Sequence, residues 1–173
     1  MLWIFLLLAV VLPSAEPQKS DLASSRLHVE RSFTIALNAR PDVAVRAFGA
    51  LAEEKWAHGF RPQFAYPNPP KDVEGAVFTL QAPKTQIWLL QTWDMVHHIV
   101  RYVAVDPGVK ITALVIRVAP FGTDKSRATV TYDRTSLSQA GDAEVADFAK
   151  TFASGAPHWE KAINGYLAKT GMR

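Results

Sequence analysis

Tryptophan and tyrosine side chains stand within apolar stretches of the sequence, where they could contact a bound molecule. Trp88 and Trp93 lie in the segment TQIWLLQTWD, and Tyr102 and Tyr132 lie among valines and alanines of two later segments. Large rings with one polar atom suit the wall of a pocket for an apolar ligand. Ordinary core packing, with each polar atom hydrogen-bonded to the backbone, is the alternative for each of these residues.

Arginines interrupt several of the same apolar rows. Arg31, Arg101 and Arg117 each share a strand face with apolar residues. A guanidinium offers a rigid fork to a ligand carboxylate, so an arginine beside a cavity could bind an acidic ligand. We favour the alternative, in which each side chain reaches solvent at a strand end, because burial of an unpaired charge costs several kcal/mol. Asp133 and Arg134 are adjacent on one strand and therefore point to opposite faces.

The histidines are not expected to form a metal site. His97 and His98 are expected on one strand, where successive side chains face opposite sides and cannot bind one ion. His58 and His158 lack a cysteine or carboxylate at ligand spacing. His158, beside Trp159, could act as a base facing a cavity, although a solvent-facing position is favoured. No G-x-S-x-G, Walker or dinucleotide-binding motif occurs, so we predict neither a metal nor any other cofactor.

Composition indicates a single globular domain. The chain has 173 residues, of which 49% are hydrophobic and 20% charged, and it has no cysteine. Its formal net charge of +3 is too small to predict nucleic-acid binding. A chain of this length buries enough surface to fold without a metal or a disulfide.

The first 15 residues have the pattern of a signal peptide. An uncharged apolar run, MLWIFLLLAVVL, is followed by an abrupt change to polar residues. The run is shorter than the roughly 20 residues that a membrane-spanning helix needs, so we predict no stable span in the mature chain. Residues 16–26 are predicted to form a flexible tether. The protein is accordingly expected to be exported, periplasmic or secreted; an uncleaved N-terminal anchor is the alternative.

Periodicity indicates one strand and then short helices in the first part of the domain. Apolar residues alternate with polar ones from Leu27 to Leu37, which is typical of a half-buried strand. Pro41 and Asp42 suit the first turn of a helix that we predict over 41–51, with a second helical turn over 52–57. Prolines then mark a loop-rich region with one brief strand over 63–66.

Residues 73–136 are predicted to form five consecutive strands. Each is rich in β-branched or aromatic residues, and the connections are too short for parallel crossovers, so a meander of antiparallel neighbours follows. Alternation along the second of these strands places Trp88 on the opposite face from Gln91 and Trp93. The five segments are VEGAVFTLQ, TQIWLLQTWD, HHIVRYVAVD, VKITALVIRVA and SRATVTYDRTS.

The C-terminal part of the chain has helical periodicity. Apolar residues recur at steps of three and four, from Val145 to Leu167. Pro157 removes one backbone hydrogen bond and crowds the preceding turn, so we predict either a kink near Gly155 or two separate helices.

This order of elements resembles the START-like, Bet v 1-like helix-grip fold of the SRPBCC superfamily, which includes polyketide cyclase/dehydrase-like and lipid-transfer proteins. The resemblance covers residues 27–171 and is carried by RSFTIALNARPDVAVRAFGAL, EGAVFTLQ, TQIWLLQTWD, RYVAVDPGVKITALVIRVAPFG, SRATVTYDRTSLS and HWEKAINGYLAKTG. It implies an α+β fold in which a curved antiparallel sheet of six to seven strands wraps around a long C-terminal helix. One or two short helices follow the first strand, and an apolar cavity lies between the sheet and the long helix.

We predict that this cavity binds or carries a small hydrophobic molecule, such as a lipid or an aromatic metabolite. A cyclase/dehydratase-type enzyme acting on a polyketide-like substrate is one alternative, and a packed interaction module without ligand is another. Acidic residues are absent from the central strand rows, which argues against the enzyme; a perturbed titratable group in the pocket would favour it. The oligomeric state stays open. The predicted lining residues are Trp88, Trp93, Tyr102, Leu114, Ile116, Tyr132, Phe148, Phe152 and Trp159.

Overall fold

The computed structural model of the protein describes residues 25–81 and 84–171. The predicted signal peptide, residues 1–15, and most of the predicted tether, residues 16–26, lie outside the described residues. Of the helices that are described, none combines the length and the apolar character that a membrane crossing requires.

Seven antiparallel strands form one curved sheet, which confirms the predicted α+β helix-grip architecture. The sheet order is β1-β7-β6-β5-β4-β3-β2, so the meander predicted for residues 73–136 is present and β7 pairs with β1. The strands are β1 His28–Leu37, β2 Gln63–Tyr66, β3 Val77–Leu80, β4 Gln86–Asp94, β5 Ile99–Asp106, β6 Lys110–Pro120 and β7 Ser126–Ser136.

The helices cover the concave face of the sheet, and they are interrupted at two places. The helix predicted over 41–51 is in fact α1, a 3-10 turn and the start of α2, because Gly49 is extended (φ −77°, ψ 150°). The interruption predicted near Gly155 is confirmed, since a 3-10 turn over Phe152–Gly155 separates the last two helices. The helices are α1 Pro41–Ala44, α2 Ala50–Trp56, α3 Gln139–Thr151 and α4 Ala156–Lys169.

Two predicted strands are shorter than expected. The strand predicted from residue 73 begins only at Val77, because the chain turns at Gly75 with φ of +84°. His97 and His98 lie in the turn before β5, where His98 has φ of 56°, so their expected position on a strand is wrong. His97 pairs instead with Asp94 at 2.7 Å.

Over residues 25–81 and 84–171, no three acidic, histidine or cysteine side chains are grouped as metal ligands.

A β-bulge in β4 changes which way its tryptophans point. The register between β4 and β5 shifts around Gln91. Trp88 lies opposite Ala104 and Trp93 lies opposite Val100, and both of these β5 residues are buried. The prediction that Trp88 and Trp93 face opposite sides is therefore wrong, because the extra residue of the bulge reverses the alternation after it.

Helix α4 is held across the sheet by polar side chains that cover the free edge of β1. Glu160 accepts a hydrogen bond from the backbone N–H of Ala36 at 2.9 Å. The Asn164 side chain accepts from the N–H of Asn38 at 2.8 Å and donates to the carbonyl of Ala36 at 2.9 Å. These contacts satisfy backbone groups that an edge strand leaves unpaired, and they position α4 relative to the concave face.

Helix α3 is anchored to the opposite end of the sheet by a buried ion network. Lys110 is 8% exposed, and its ammonium donates to Asp106, which is 5% exposed. The same ammonium donates to Glu144 of α3 at 2.8 Å, and Lys84 also binds Glu144. Hydrogen bonds from Lys110 and Lys84 lower the pKa of Glu144 to about 2. The network therefore joins β5, β6 and α3 through charged contacts.

Candidate functional site

The interruption between α3 and α4 leaves a cavity against the concave face of the sheet. Its volume is about 260 Å³, and we call it the helix-break cavity. The sheet side is formed by β1 and β7, and the helix side by α3, the 3-10 turn and the start of α4. Its lining residues are Phe33, Tyr132, Arg134, Phe148, Thr151, Phe152, Ser154, Gly155 and Trp159.

Aromatic rings in mutual contact form most of this wall. Phe152 lies at the centre, with ring centroids 4.9 Å from Phe148, 5.1 Å from Phe33 and 5.4 Å from Tyr132. Trp159 contacts Phe33 edge-on at 5.6 Å. Such tilted and edge-to-face contacts hold each ring in place, so the wall offers a preformed apolar surface to a flat or chain-like molecule.

The structure divides the nine predicted lining residues into two groups. Tyr132, Phe148, Phe152 and Trp159 lie on the wall of the helix-break cavity. The other five do not line that cavity. Whether any of the nine contacts a ligand stays a prediction. Of these five, Tyr102, Leu114 and Ile116 are buried in the hydrophobic core, and Trp88 and Trp93 are half-buried against it.

Tyr102 and Trp88, which do not line the cavity, have evident structural roles. The hydroxyl of Tyr102, a residue only 2% exposed, donates to the carbonyl of Phe48 at 2.9 Å. This is the core-packing alternative considered from the sequence. Trp88 stacks on Phe78 with nearly parallel rings and a centroid distance of 5.9 Å.

Arg134 also lines the cavity, a position that was not predicted from the sequence. Its guanidinium carbon lies 3.5 Å from the ring centroid of Phe148 and 5.2 Å from that of Tyr132. Arg31 and Arg117 are exposed, as the favoured alternative predicts. The available signal was strand alternation, since Arg134 shares the inward face of β7 with Tyr132.

Glu53 of α2 is a second residue that was not predicted, and its carboxyl group has a strongly shifted pKa. Burial, and then the nearby charge of Asp72, raise the pKa of Glu53 to about 8. Burial also raises the pKa of Asp72, but the N–H of Leu51 donates to that carboxyl at 3.3 Å and partly opposes the shift. Burial and a nearby negative charge both favour the protonated form of Glu53.

The charge of Glu53 also affects the pKa of two tyrosines of the sheet. Burial raises the pKa of Tyr132 and of Tyr102, and the Glu53 carboxylate raises both further. Glu53 was identifiable only indirectly, because it interrupts a stripe that contains the buried Ala50 and the half-buried Ala57. A carboxyl on such a stripe is forced toward the interior.

A larger groove, of about 390 Å³, lies on the outer surface between α2 and α4. Its walls carry Lys55, Lys161 and the exposed His158. The rings of Trp56 and Trp159 meet at 5.3 Å, and Trp56 lines this groove while Trp159 lines the helix-break cavity. We place the candidate site in the smaller cavity because its wall is aromatic and its one cation is held within the fold.

Comparisons with known proteins identify the fold. No family model and no curated protein matches the chain. Norcoclaurine synthase from Thalictrum flavum is similar in structure, with a TM-score of 0.61 and 12% identity over 95% of this chain and 99% of that one. The same enzyme has been solved in complex with dopamine and hydroxybenzaldehyde, and that structure aligns with a TM-score of 0.63 at 10% identity over 92% of this chain and 96% of that one.

Two other solved structures align over similar lengths. Ara h 8.0201 has a TM-score of 0.60 and 13% identity over 82% of this chain and 99% of that one. The aromatase/cyclase from Streptomyces sp. R1128 has a TM-score of 0.60 and 11% identity over 83% of this chain and 95% of that one. At these identities the similarity concerns the fold alone, and the chain has the Bet v 1-like helix-grip fold.

Proposed function

We propose that the protein binds a small hydrophobic molecule, aromatic or lipid, in the helix-break cavity. The observation that carries the proposal is the aromatic wall made by Phe33, Phe148, Phe152 and Trp159. Apolar surface that stays unfilled in a folded protein loses dispersion contacts, and a ligand restores them. Structures of this fold that hold aromatic ligands, such as norcoclaurine synthase with dopamine and hydroxybenzaldehyde, support the proposal.

The neutral fluorescent probe N-phenyl-1-naphthylamine tests this function. We expect its emission to rise on addition of the purified protein, with saturation at one site. Phe152→Ala removes a ring that contacts three other aromatic rings of the wall. We expect the affinity for the probe to fall about ten- to a hundred-fold, since burial of one such ring contributes about 1.5–3 kcal/mol.

Phe121→Ala is the matched control, because Phe121 is 43% exposed and lies under Arg127 at 3.9 Å, outside the cavity lining. Its affinity for the probe is expected to equal that of the wild type. Thermal unfolding of both variants verifies that they are folded. Absence of saturable binding to the wild-type protein, or equal losses in the two variants, would refute the proposed function.

An enzyme of the cyclase/dehydratase type is the second candidate, and Glu53 is the observation that favours it. A carboxyl whose pKa is about 8 can both accept and return a proton near neutral pH. Glu53 does not line the helix-break cavity, but its charge acts on Tyr132, which does. In this proposal, a ligand that extends past Tyr132 loses the proton of the carbon next to its carbonyl to the Glu53 carboxylate. The electron pair of that C–H bond forms an enolate, and reprotonation by the Glu53 carboxylic acid reverses the step.

Deuterium exchange into the methyl group of 1-acetonaphthone in D₂O measures this step directly. We expect the wild-type protein to accelerate exchange and Glu53→Gln to abolish the acceleration, because general base catalysis contributes about 10²–10⁴-fold. Probe binding to the same variant shows whether the cavity is intact. Exchange at the uncatalysed rate with wild-type protein would leave binding as the function.

Export of the mature chain is part of the same proposal. The apolar run over residues 1–12 and the polar stretch that follows support it. N-terminal sequencing of the protein from fractionated cells tests export, and a full-length chain in the cytosol would contradict it.

A further inference from the structure

Arg134 places one positive charge on the aromatic wall of the helix-break cavity. Its Nε atom is buried and has no hydrogen-bond partner among the described residues. A buried donor without a partner costs about 1–3 kcal/mol, and more when the group is charged. Arg134 therefore has an unpartnered donor inside the fold, while the residue itself borders the cavity.

The nearest carboxylates are already bound to another cation. Asp106 and Glu144 are the acidic groups that favour the charged form of Arg134, yet both accept hydrogen bonds from Lys110. Within residues 25–81 and 84–171, Arg134 takes part in no ion pair, and its planar face instead lies on the ring of Phe148. This stacking positions the guanidinium while leaving its edge for another partner.

We propose that the ligand of the helix-break cavity is an aromatic or acyl carboxylic acid whose carboxylate binds the guanidinium of Arg134. This inference rests on the proposed function and specifies its ligand class. The apolar body of the acid packs against Phe33, Phe152 and Trp159. The carboxylate accepts hydrogen bonds from the terminal N–H groups of the Arg134 fork, which borders the cavity.

A carboxylate suits this position better than a neutral polar group. It matches the planar fork in geometry and neutralises a charge that burial disfavours; burial lowers the pKa of Arg134. A neutral ligand would fill the aromatic part of the cavity but would leave the charge without a counterion. The structure therefore predicts selection by charge in addition to selection by apolar shape.

Displacement of bound N-phenyl-1-naphthylamine at pH 8 by two competitors of similar size tests the inference. The competitors are 1-naphthoate, which is an anion, and 1-naphthalenemethanol, which is neutral. We expect 1-naphthoate to displace the probe from the wild-type protein at a concentration at least ten times lower than that required of 1-naphthalenemethanol. In Arg134→Met this preference is expected to disappear, while the affinity for the neutral alcohol changes less than about threefold.

Arg31→Met is the matched control. Arg31 is exposed on β1 opposite Tyr132, and it donates to the carbonyl of Glu30 at 2.8 Å. We expect this variant to keep the full preference for 1-naphthoate, because a solvated charge outside the cavity contributes little. Arg134→Lys keeps the charge and loses the fork, so an intermediate preference is expected, and this variant carries the test if Arg134→Met does not fold.

The outcomes separate the two proposals. Failure of the wild-type protein to bind the neutral probe contradicts the proposed function itself. Probe binding without a preference for 1-naphthoate, or with a preference that Arg134→Met and Arg134→Lys both retain in full, overturns the inference about Arg134 and leaves the binding function standing. Equal effects of the Arg31 and Arg134 variants overturn it as well, since they would reflect net charge alone.

Discussion

Replacement of Glu53 by glutamine is expected to stabilise the protein at alkaline pH. The pKa of Glu53 rises from an ordinary value of 4.5 to about 8 in the folded state, so folding favours the protonated carboxyl. The contribution of Glu53 to the wild-type free energy of unfolding should therefore be fully present below about pH 4.5. It should fall as the pH rises to about 8. The maximum slope for one group is about 1.4 kcal/mol per pH unit.

The variant cannot ionise at this position, so its free energy of unfolding should lack that decline. At pH 9 we expect Glu53→Gln to exceed the wild type by about 2–4 kcal/mol, after allowance for the cost of a buried amide. Urea unfolding at pH 5, 7 and 9 measures the difference. Glu54→Gln is the matched control, because the Glu54 side chain is 32% exposed and pairs with the exposed Lys55 at 3.1 Å.

Equal pH profiles for the wild type and Glu53→Gln would contradict this account of Glu53. They would also remove the observation that favours proton transfer by Glu53.

The second large effect is expected from Lys110→Met. Loss of the ammonium leaves Asp106 buried without its counterion and removes one partner of Glu144. Breaking a buried ion pair from one side costs about 3–5 kcal/mol, because the remaining charge stays in a poorly solvated position. We expect the free energy of unfolding at pH 7 to fall by that amount in urea titrations.

Lys150→Met serves as the control for Lys110→Met. Lys150 pairs with Asp147 on the same helix, α3, but both side chains are about three-quarters exposed and 3.5 Å apart. Its removal is expected to change the free energy of unfolding by less than about 0.5 kcal/mol. Adding Asp106→Asn to Lys110→Met should recover part of the lost stability, and no recovery would show that the cost has another source.

Loss of Lys110 also affects how the protein responds to acid. The pKa of Glu144 lies below its ordinary value because Lys110 and Lys84 donate to the carboxylate. The stability that this carboxylate contributes is present above about pH 4.5 and is lost as the pH falls toward 2. Lys110→Met should weaken that acid dependence, which the same titrations measure.

Local sequence patterns were sufficient for the order and type of most elements. The alternation over 27–37, the short connections over 73–136 and the break near Gly155 depend on neighbouring residues, and the structure confirms each of them. The bulge at Gln91 was not predictable in this way, because an extra residue in a ladder is defined only by the partner strand. For this reason the prediction that Trp88 and Trp93 lie on opposite faces of the sheet was wrong.

The sequence by itself determined the antiparallel sheet, the broken C-terminal helix and the presence of four aromatic residues that now line one wall: Tyr132, Phe148, Phe152 and Trp159. These follow from periodicity, which acts over a few residues. Only the tertiary structure decided that Arg134 lies on that wall without an ion-pair partner in the described chain, and that Glu53 lies beside Asp72. Both depend on burial and on charges brought together from distant segments, because solvation and Coulomb interactions are set by distance in space.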